Sequence, residues 1–135
     1  MDKDIVEYCI KTISFINSNK DDYEKIIALL FKELRDNDIV YINKKKIWYK
    51  YNKNDKKWEQ YNFKILLSKI TELYEFFDDI MIKYLDNENS SLNNNNKSRF
   101  KSVSRLIASY IFEQKIDMTK LYKICSNIFS IDNDI

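Results

Sequence analysis

Residues 39–62 combine basic side chains with aromatic rings, a pairing that suits contact with nucleic acid. The stretch contains seven lysines against Asp55 and Glu59, an excess of five positive charges in a chain of net charge +2. Lysine ammonium groups that contact phosphates release counterions, and exposed rings stack on unpaired bases for about 1–3 kcal/mol each. The candidate nucleic-acid-binding residues are therefore Lys44, Lys45, Lys46, Lys50, Lys53, Lys56 and Lys57.

The same stretch also has a purely structural interpretation. Side chains alternate along a strand, so Trp48 lies on the opposite face from Tyr49 and Tyr51, and at least one row of rings must face a core. We expect Trp48 and Trp58 to be structural residues of that core. Lysines at turns and strand edges also prevent aggregation without binding a partner. The charge count leaves both interpretations of the lysines open.

Two absences exclude most familiar catalytic devices. The chain has no glycine, and the standard phosphate loop and dinucleotide-binding turn both need glycine for close backbone approach. It also has no histidine, which removes the imidazole base, the common Cys/His zinc site and the Ser-His and Cys-His nucleophiles. We therefore predict that the chain is not an enzyme and has no catalytic residues, no metal site and no cofactor.

Composition predicts a folded, soluble domain. At 135 residues, with a hydrophobic share of 44%, the chain can bury a core without disulfides or metals. Cys9 and Cys125 lie in apolar helical patterns and are expected to be buried thiols. No window approaches the roughly 20 apolar residues of a membrane span, and the acidic start MDKD is unlike a signal peptide. We expect an intracellular protein without membrane contact.

Hydrophobic spacing predicts the order of elements. Three- and four-residue intervals predict a helix from Asp4 and a second from about Asp21, with Asp21 and Glu24 as its capping box. From Ile39, short β-branched and aromatic runs between turn-like segments predict two or three antiparallel strands. Asparagine and aspartate are expected to take the left-handed turn positions that glycine usually fills.

The second half of the chain is predicted to form helices on both sides of one loop. A long helical pattern runs from about Phe63 to Leu85, and the Asn- and Ser-rich residues 86–98 predict a flexible loop. A helical pair follows in residues 99–131, its second helix capped by Asp117. The predicted core residues are Ile10, Ile13, Ile27, Leu30, Leu34, Trp48, Trp58, Leu66, Ile70, Leu73, Phe77, Leu106, Ile107 and Leu121.

These elements predict one α+β domain over residues 1–135 that is mainly α. About five helices surround one small antiparallel β-hairpin or three-stranded sheet, which lies between the second and third helices. Residues 22–85 are the expected core module.

The run DIVYINKKKIWYKYNKNDKKWEQYNFKILLSKI resembles a known module. It is similar to the segment that precedes the superfamily 3 helicase in poxvirus-type primase-helicases of large DNA viruses and phages. In that family a W-Y-x-Y strand, a turn, a second Trp and a helix follow in order, matched here by Trp48 to Tyr51, Asn52 to Asp55, Trp58 and Phe63 onward. The likeness covers residues 22–85. The family often has glycine in that turn, which this chain lacks.

The resemblance implies a non-catalytic DNA-binding and assembly module that links primase and helicase and guides single-stranded or forked DNA. Its implied partners are DNA and the adjacent primase and helicase domains, with homo-oligomerisation in the full-length protein. Its implied location is the viral replication site in the host cytoplasm. The chain ends where such proteins continue into the ATPase, so we expect either an excised piece or a small stand-alone relative.

A different class of function stays open. A small helical protein that docks on another protein, as a viral adaptor or host-factor binder, would also lack catalytic signatures and carry amphipathic helices. Salt-dependent binding to DNA separates this class from the replication module.

Overall fold

Five helices and four short strands make up the part of the chain that the computed structural model describes, namely residues 2–35, 38–62, 71–80, 93–113 and 115–133. The helices are α1 (Asp2–Ser18), α2 (Tyr23–Arg35), α3 (Thr71–Ile80), α4 (Asn94–Phe112) and α5 (Met118–Ile128). The strands are β1 (Ile39–Ile42), β2 (Ile47–Asn52), β3 (Lys57–Tyr61) and β4 (Ser130–Ile131). The predicted class, α+β and mainly α, is confirmed.

The sheet has the strand order β3-β2-β1-β4. As predicted, β1, β2 and β3 form an antiparallel meander between the second and third helices. Strand β4 was not predicted; it has two residues, follows α5 and pairs with β1 in parallel. Its link consists of the Tyr41 N–H donating to the Phe129 carbonyl at 2.9 Å and the Asn43 N–H donating to the Ile131 carbonyl at 3.1 Å.

Both hairpin turns contain four residues, 43–46 and 53–56, and both end on a lysine in the left-handed region. Lys46 has a φ of 55° and Lys56 a φ of 52°. The expectation that asparagine and aspartate fill these positions is wrong for the hairpins, and among the described residues it holds at Asp21 alone, with a φ of 62°. A side chain with a Cβ in this conformation costs roughly 1–2 kcal/mol per residue.

Two helix starts differ from the prediction. Asp21 does not cap α2, because its left-handed backbone lies before Asp22, whose carbonyl accepts the Ile26 N–H at 3.0 Å. Helix α4 begins at Asn94, inside the segment predicted as a flexible loop. It can begin there because the Asn93 side chain caps it.

The cap of α5 and the middle of the long helix follow the prediction. The Asp117 carboxylate accepts the Lys120 N–H at 3.1 Å and caps α5 as expected. Of the helix predicted from Phe63 to Leu85, residues 71–80 are helical. Residues 63–70, 81–85 and the loop residues 86–92 lie outside the described part of the chain.

One continuous core joins the sheet to all five helices. Seven predicted core residues are buried: Ile13, Ile27, Leu30, Trp48, Phe77, Ile107 and Leu121. Three predictions are wrong, because Ile10 and Leu106 are each 48% exposed and Trp58 is only partly buried. The side chains of Leu34, Leu66, Ile70 and Leu73 lie outside the described part of the structure.

Two small hydroxyl residues occupy buried helical positions. Thr12 is fully buried in α1, and its hydroxyl donates to the Tyr8 carbonyl at 2.8 Å. Ser104 is buried in α4, where its hydroxyl donates to the Lys101 carbonyl at 3.0 Å. Because each hydroxyl bonds the preceding turn of its own helix, neither residue leaves a polar group unsatisfied. Counting apolar residues alone therefore places the buried face incorrectly.

A buried carboxylate connects α2 to α4. Glu24 is only 6% exposed, and its carboxylate accepts a hydrogen bond from the Tyr110 hydroxyl at 3.0 Å. The Tyr110 ring stacks on Tyr23, with the ring centroids 4.4 Å apart. Burial, followed by the hydrogen bond to Glu24, raises the pKa of Tyr110 to about 12. The pair explains why Glu24, predicted to act in a capping box, points into the protein.

We expect Tyr110→Phe to lower the free energy of unfolding by about 1–3 kcal/mol, because it keeps the ring stack but removes a donor from a buried carboxylate. The measurement is urea unfolding at neutral pH. Tyr23→Phe is the matched control, because it changes the other ring of the stack and removes a hydroxyl that does not bond to Glu24. Its expected cost is below about 0.5 kcal/mol, and equal costs for the two variants would contradict the prediction.

Candidate nucleic-acid interface

One face of the sheet belongs to the core. Ile39, Tyr41 and Trp48 are buried there, with Tyr41 opposite Trp48 across the β1–β2 pair. The Trp48 ring meets Phe129 edge to face, with the ring centroids 5.7 Å apart. The interpretation of Trp48 as a structural residue is confirmed.

The other face carries three partly buried aromatic rings: Tyr49, Tyr51 and Trp58. We call it the aromatic face. Register places Tyr51 directly opposite Trp58, and their ring centroids lie 5.3 Å apart at an interplanar angle of 60°. Each of these rings keeps part of its surface accessible, so the aromatic face can offer rings to a flat ligand such as a nucleobase.

Six of the seven candidate lysines lie at the two ends of β2. Lys44, Lys45 and Lys46 belong to the turn between β1 and β2, which we call the first basic turn. Lys53 and Lys56 belong to the turn between β2 and β3, and Lys57 is the first residue of β3; we call these three lysines the second basic turn. Because β2 has six residues, these two clusters are roughly 20 Å apart along the strand. The lysines therefore form two clusters that flank the sheet.

The seventh lysine has a different setting. Lys50 lies in the middle of β2 on the face of Trp48, opposite Ile39 in β1 and Glu59 in β3. Its ammonium nitrogen is 5.5 Å from the centroid of the Tyr61 ring, within range of a cation–π contact. Lys50 thus lies on the opposite side of the sheet from the aromatic face, and it shares a groove with Lys53 at the second basic turn.

The two basic turns differ in their electrostatics. The sequence has no acidic residue between Ile39 and Asn54, but the pairing of β4 with β1 places Asp132 beside Asn43, at the start of the first basic turn. In the second, the Asn52 amide donates to the carboxylates of Asp55 at 3.2 Å and Glu59 at 3.1 Å. These acids reduce the local positive charge, so we expect the first basic turn to attract a polyanion more strongly.

The turn lysines lie at the surface of the protein. All six are exposed. Within the described residues, no ion pair joins Lys44, Lys46, Lys53, Lys56 or Lys57 to a carboxylate. The ion pairs found there lie elsewhere, for example between Lys11 and Glu33 at 2.9 Å.

Each end of the sheet also has a shallow groove. One, of about 430 Å³, is lined by Asp38, Lys50, Tyr51, Asn52, Lys53 and Glu59. The other, of about 480 Å³, is lined by Lys46, Ile47, Trp48, Gln60, Tyr61 and Asn62. Both grooves combine lysine with an aromatic ring, the combination that holds phosphate and base in single-strand binding sites.

Sequence reasoning missed the position of Trp58. The turn 53–56 contains four residues, so Asn52 pairs with Lys57 and Trp58 falls opposite Tyr51. Trp58 must then share the face of Tyr51, which is opposite to the face of Trp48, because side chains alternate along β2. The length of the turn was the available signal, and reading it would have assigned the two tryptophans to opposite faces.

Neither a metal centre nor a membrane span is found in the described ranges. No group of three or more Cys, Asp or Glu side chains there could hold a metal ion. None of the described helices is long and apolar enough to cross a lipid bilayer. Comparison with family models, curated proteins and solved structures finds no match to this chain.

Proposed function

We propose that this chain is a non-catalytic DNA-binding and assembly module of a viral-type primase-helicase, and that its sheet contacts single-stranded or forked DNA. The observation that carries the proposal is the aromatic face of Tyr49, Tyr51 and Trp58, flanked by exposed lysines at both ends. Rings supply stacking energy that every base can use, and lysines supply phosphate contacts that do not depend on sequence.

Charge distribution supports this assignment. Residues 39–62 carry an excess of five positive charges, so the rest of the chain, with a total of +2, carries 2 − 5 = −3. A polyanion is therefore attracted to the sheet and repelled by the remainder of the protein. The protein would therefore bind DNA with its sheet facing the DNA.

The resemblance of residues 22–85 to the segment before the superfamily 3 helicase supplies the biological setting. In that setting the module joins primase to helicase, helps the oligomeric helicase assemble and guides DNA toward it inside the infected cell. The chain itself supplies contacts with DNA and with its neighbouring domains, while ATP hydrolysis and primer synthesis belong to those neighbours.

The first test is the salt dependence of binding to a fluorescently labelled oligothymidine, measured by anisotropy. With about five phosphates contacted and a slope near −0.7 per contact, affinity should fall roughly 100-fold between 50 and 200 mM salt. A matched pair of variants locates the contact. Replacement of Lys44, Lys45 and Lys46 by Gln is expected to weaken binding at least about tenfold at 50 mM salt, because it removes the three positive charges of the first basic turn.

The control variant replaces Lys20, Lys25 and Lys123 by Gln, three exposed lysines outside the sheet. It loses the same charge and should bind within about twofold of the parent. If both variants bind equally well, the sheet is not the contact surface. If the parent shows no salt-dependent binding to any DNA, the adaptor interpretation replaces the proposed function.

Trp58→Ala tests the stacking component separately. We expect it to weaken single-strand binding by about 1–3 kcal/mol, because a base loses its stacking surface, and to leave duplex binding nearly unchanged. Circular dichroism checks that the sheet is intact. An equal loss for single-stranded and duplex DNA would show that Trp58 acts through charge placement or folding instead of stacking.

A further inference from the structure

Lys46 and Lys56 occupy equivalent places in the two hairpin turns. Each is the fourth residue of a four-residue turn, each has left-handed backbone, and each lies immediately before a strand. Both side chains are exposed, and neither is ion-paired within the described part of the chain. Two turns with different sequences, NKKK and KNDK, thus share both the backbone conformation and the residue at its strained position.

Lysine is a poor choice for this backbone conformation. Glycine fits it best and asparagine is the next most tolerant residue. The chain contains no glycine but is rich in asparagine, and Asn43 and Asn54 even lie in these same turns at other positions. A residue kept in a strained conformation where a relaxed alternative exists points to a role for its side chain.

The two lysines also mark the ends of one straight path. Lys46 directly precedes β2, and Lys56 directly precedes Lys57, which pairs with the last residue of β2. The distance between their levels along the strand is roughly 20 Å. Tyr49 and Tyr51, on β2 itself, lie between them.

Building on the proposed function, we infer that Lys46 and Lys56 are the two phosphate anchors of a single nucleic-acid strand that runs along β2. Phosphates repeat at 3.4 Å in a stacked strand and known single-strand sites start near four nucleotides, so a site of this length takes about four to six nucleotides. The left-handed turns fix where each lysine leaves the backbone. The fixed separation of the two lysines then sets the length of the site.

Lys46→Gly and Lys56→Gly test the inference without endangering the fold, because glycine relieves the backbone strain while removing the charge. We expect each variant to unfold at the same temperature as the parent or higher, and to bind oligothymidine about five- to tenfold more weakly at 50 mM salt. Lys20→Gln and Lys25→Gln are the controls, since each removes one charge from an exposed lysine outside the sheet, at a position without positive φ. Their affinities should stay within about twofold of the parent.

A series of oligothymidines from two to eight nucleotides supplies a second measurement. The parent's affinity should rise at least about tenfold as the length passes four to six nucleotides, when one strand reaches both lysines. The Lys56→Gly variant should lose that step and keep the weaker affinity for short oligonucleotides. If either glycine variant fails to fold, Lys46→Asn or Lys56→Asn takes its place.

The outcomes separate this inference from the proposed function. If the parent binds in a salt-dependent manner but the glycine variants bind as tightly and keep the length step, the anchors are wrong and the proposed function stands. If the parent does not bind at all, both fail.

Discussion

Replacing Phe129 with alanine is expected to lower the free energy of unfolding by about 3–5 kcal/mol, a large part of the 5–15 kcal/mol typical of a domain. Phe129 is 1% exposed and follows α5 directly, where the helical layer meets the sheet. Its ring packs against Trp48, and the Lys32 ammonium lies 5.0 Å from its centroid. Truncation leaves a cavity between β2, α2 and α5 that rigid elements on three sides cannot close.

The backbone of Phe129 adds a second effect. Its carbonyl accepts the Tyr41 N–H and so begins the pairing of β4 with β1. Loss of the ring frees the residue to move and weakens that pairing as well. We therefore expect the upper part of the range, measured as the shift in urea midpoint at constant slope.

Leu106→Ala is the control for this prediction. Leu106 is also a large apolar residue, but it is 48% exposed in the middle of α4. Its replacement should cost less than about 0.5 kcal/mol, because little buried surface is lost and alanine favours the helix. A cost for Phe129→Ala below about 1 kcal/mol, or one equal to that of Leu106→Ala, would contradict the picture of Phe129 as the junction of the two layers.

Regular periodicity was enough to predict most elements of this fold. The stripe in α2 and the alternating runs from Ile39 each have one spacing that dominates, and local hydrogen-bonding groups such as the Asp117 carboxylate mark a helix end. Such features depend on residues close together in sequence. These locally encoded elements are present in the folded protein because its tertiary contacts stabilise the same elements.

Features that depend on distant residues were not predictable in the same way. Strand β4 has only two residues, and it forms because the end of α5 lies beside the edge of β1. The sequence of residues 130–131 alone therefore contains no strand pattern. The burial of Thr12 likewise depends on a hydroxyl that bonds the preceding turn, which hydrophobic counting ignores. In both cases the missing information was which surface the segment would meet.

The candidate site was predicted in composition but not in layout. The sequence identified the lysines and the rings as one cationic, aromatic stretch. An antiparallel meander puts consecutive turns at opposite ends of the strand between them, so lysines at two turns must form two clusters. This consequence of topology was available once three strands were expected, and it changes the site from one patch to a track with two ends.

The protein should also lose stability steeply in alkali, because its folded state holds several protons that an unfolded chain releases. Burial raises the pKa of the Cys9 thiol from 9.0 to about 12, and burial does the same to the Cys125 thiol. Burial, then the charge of Glu33, raises the pKa of Tyr8 above its ordinary 10.0. Burial, then the hydrogen bond to Glu24, raises the pKa of Tyr110 to about 12.

The direction of the effect follows from proton linkage. Below pH 9 the folded and unfolded states both keep these protons, so these groups leave the free energy of unfolding unchanged. Above pH 9 the unfolded state loses protons first from its thiols and then from its tyrosines, while the folded state retains them until about pH 12. Stability then falls by about 1.4 kcal/mol per pH unit for each proton by which the states differ.

At pH 10.5 the unfolded chain has ionised Cys9 and Cys125 and most of Tyr8 and Tyr110, so we expect a loss larger than the roughly 2–3 kcal/mol per pH unit that the two thiols contribute, measured by urea unfolding under reducing conditions from pH 7.5 to 11. Cys125→Ala removes one of these protons, so its stability should fall less steeply by about 1.4 kcal/mol per pH unit, whatever the substitution costs at pH 7.5. Comparing how steeply stability falls with pH in the parent and in the variant separates the effect of thiol ionisation from the effect of lost packing. Equal urea midpoints at pH 7.5 and 10.5, or equal slopes for parent and variant, would show that the two thiols ionise as readily in the folded protein as in the unfolded chain.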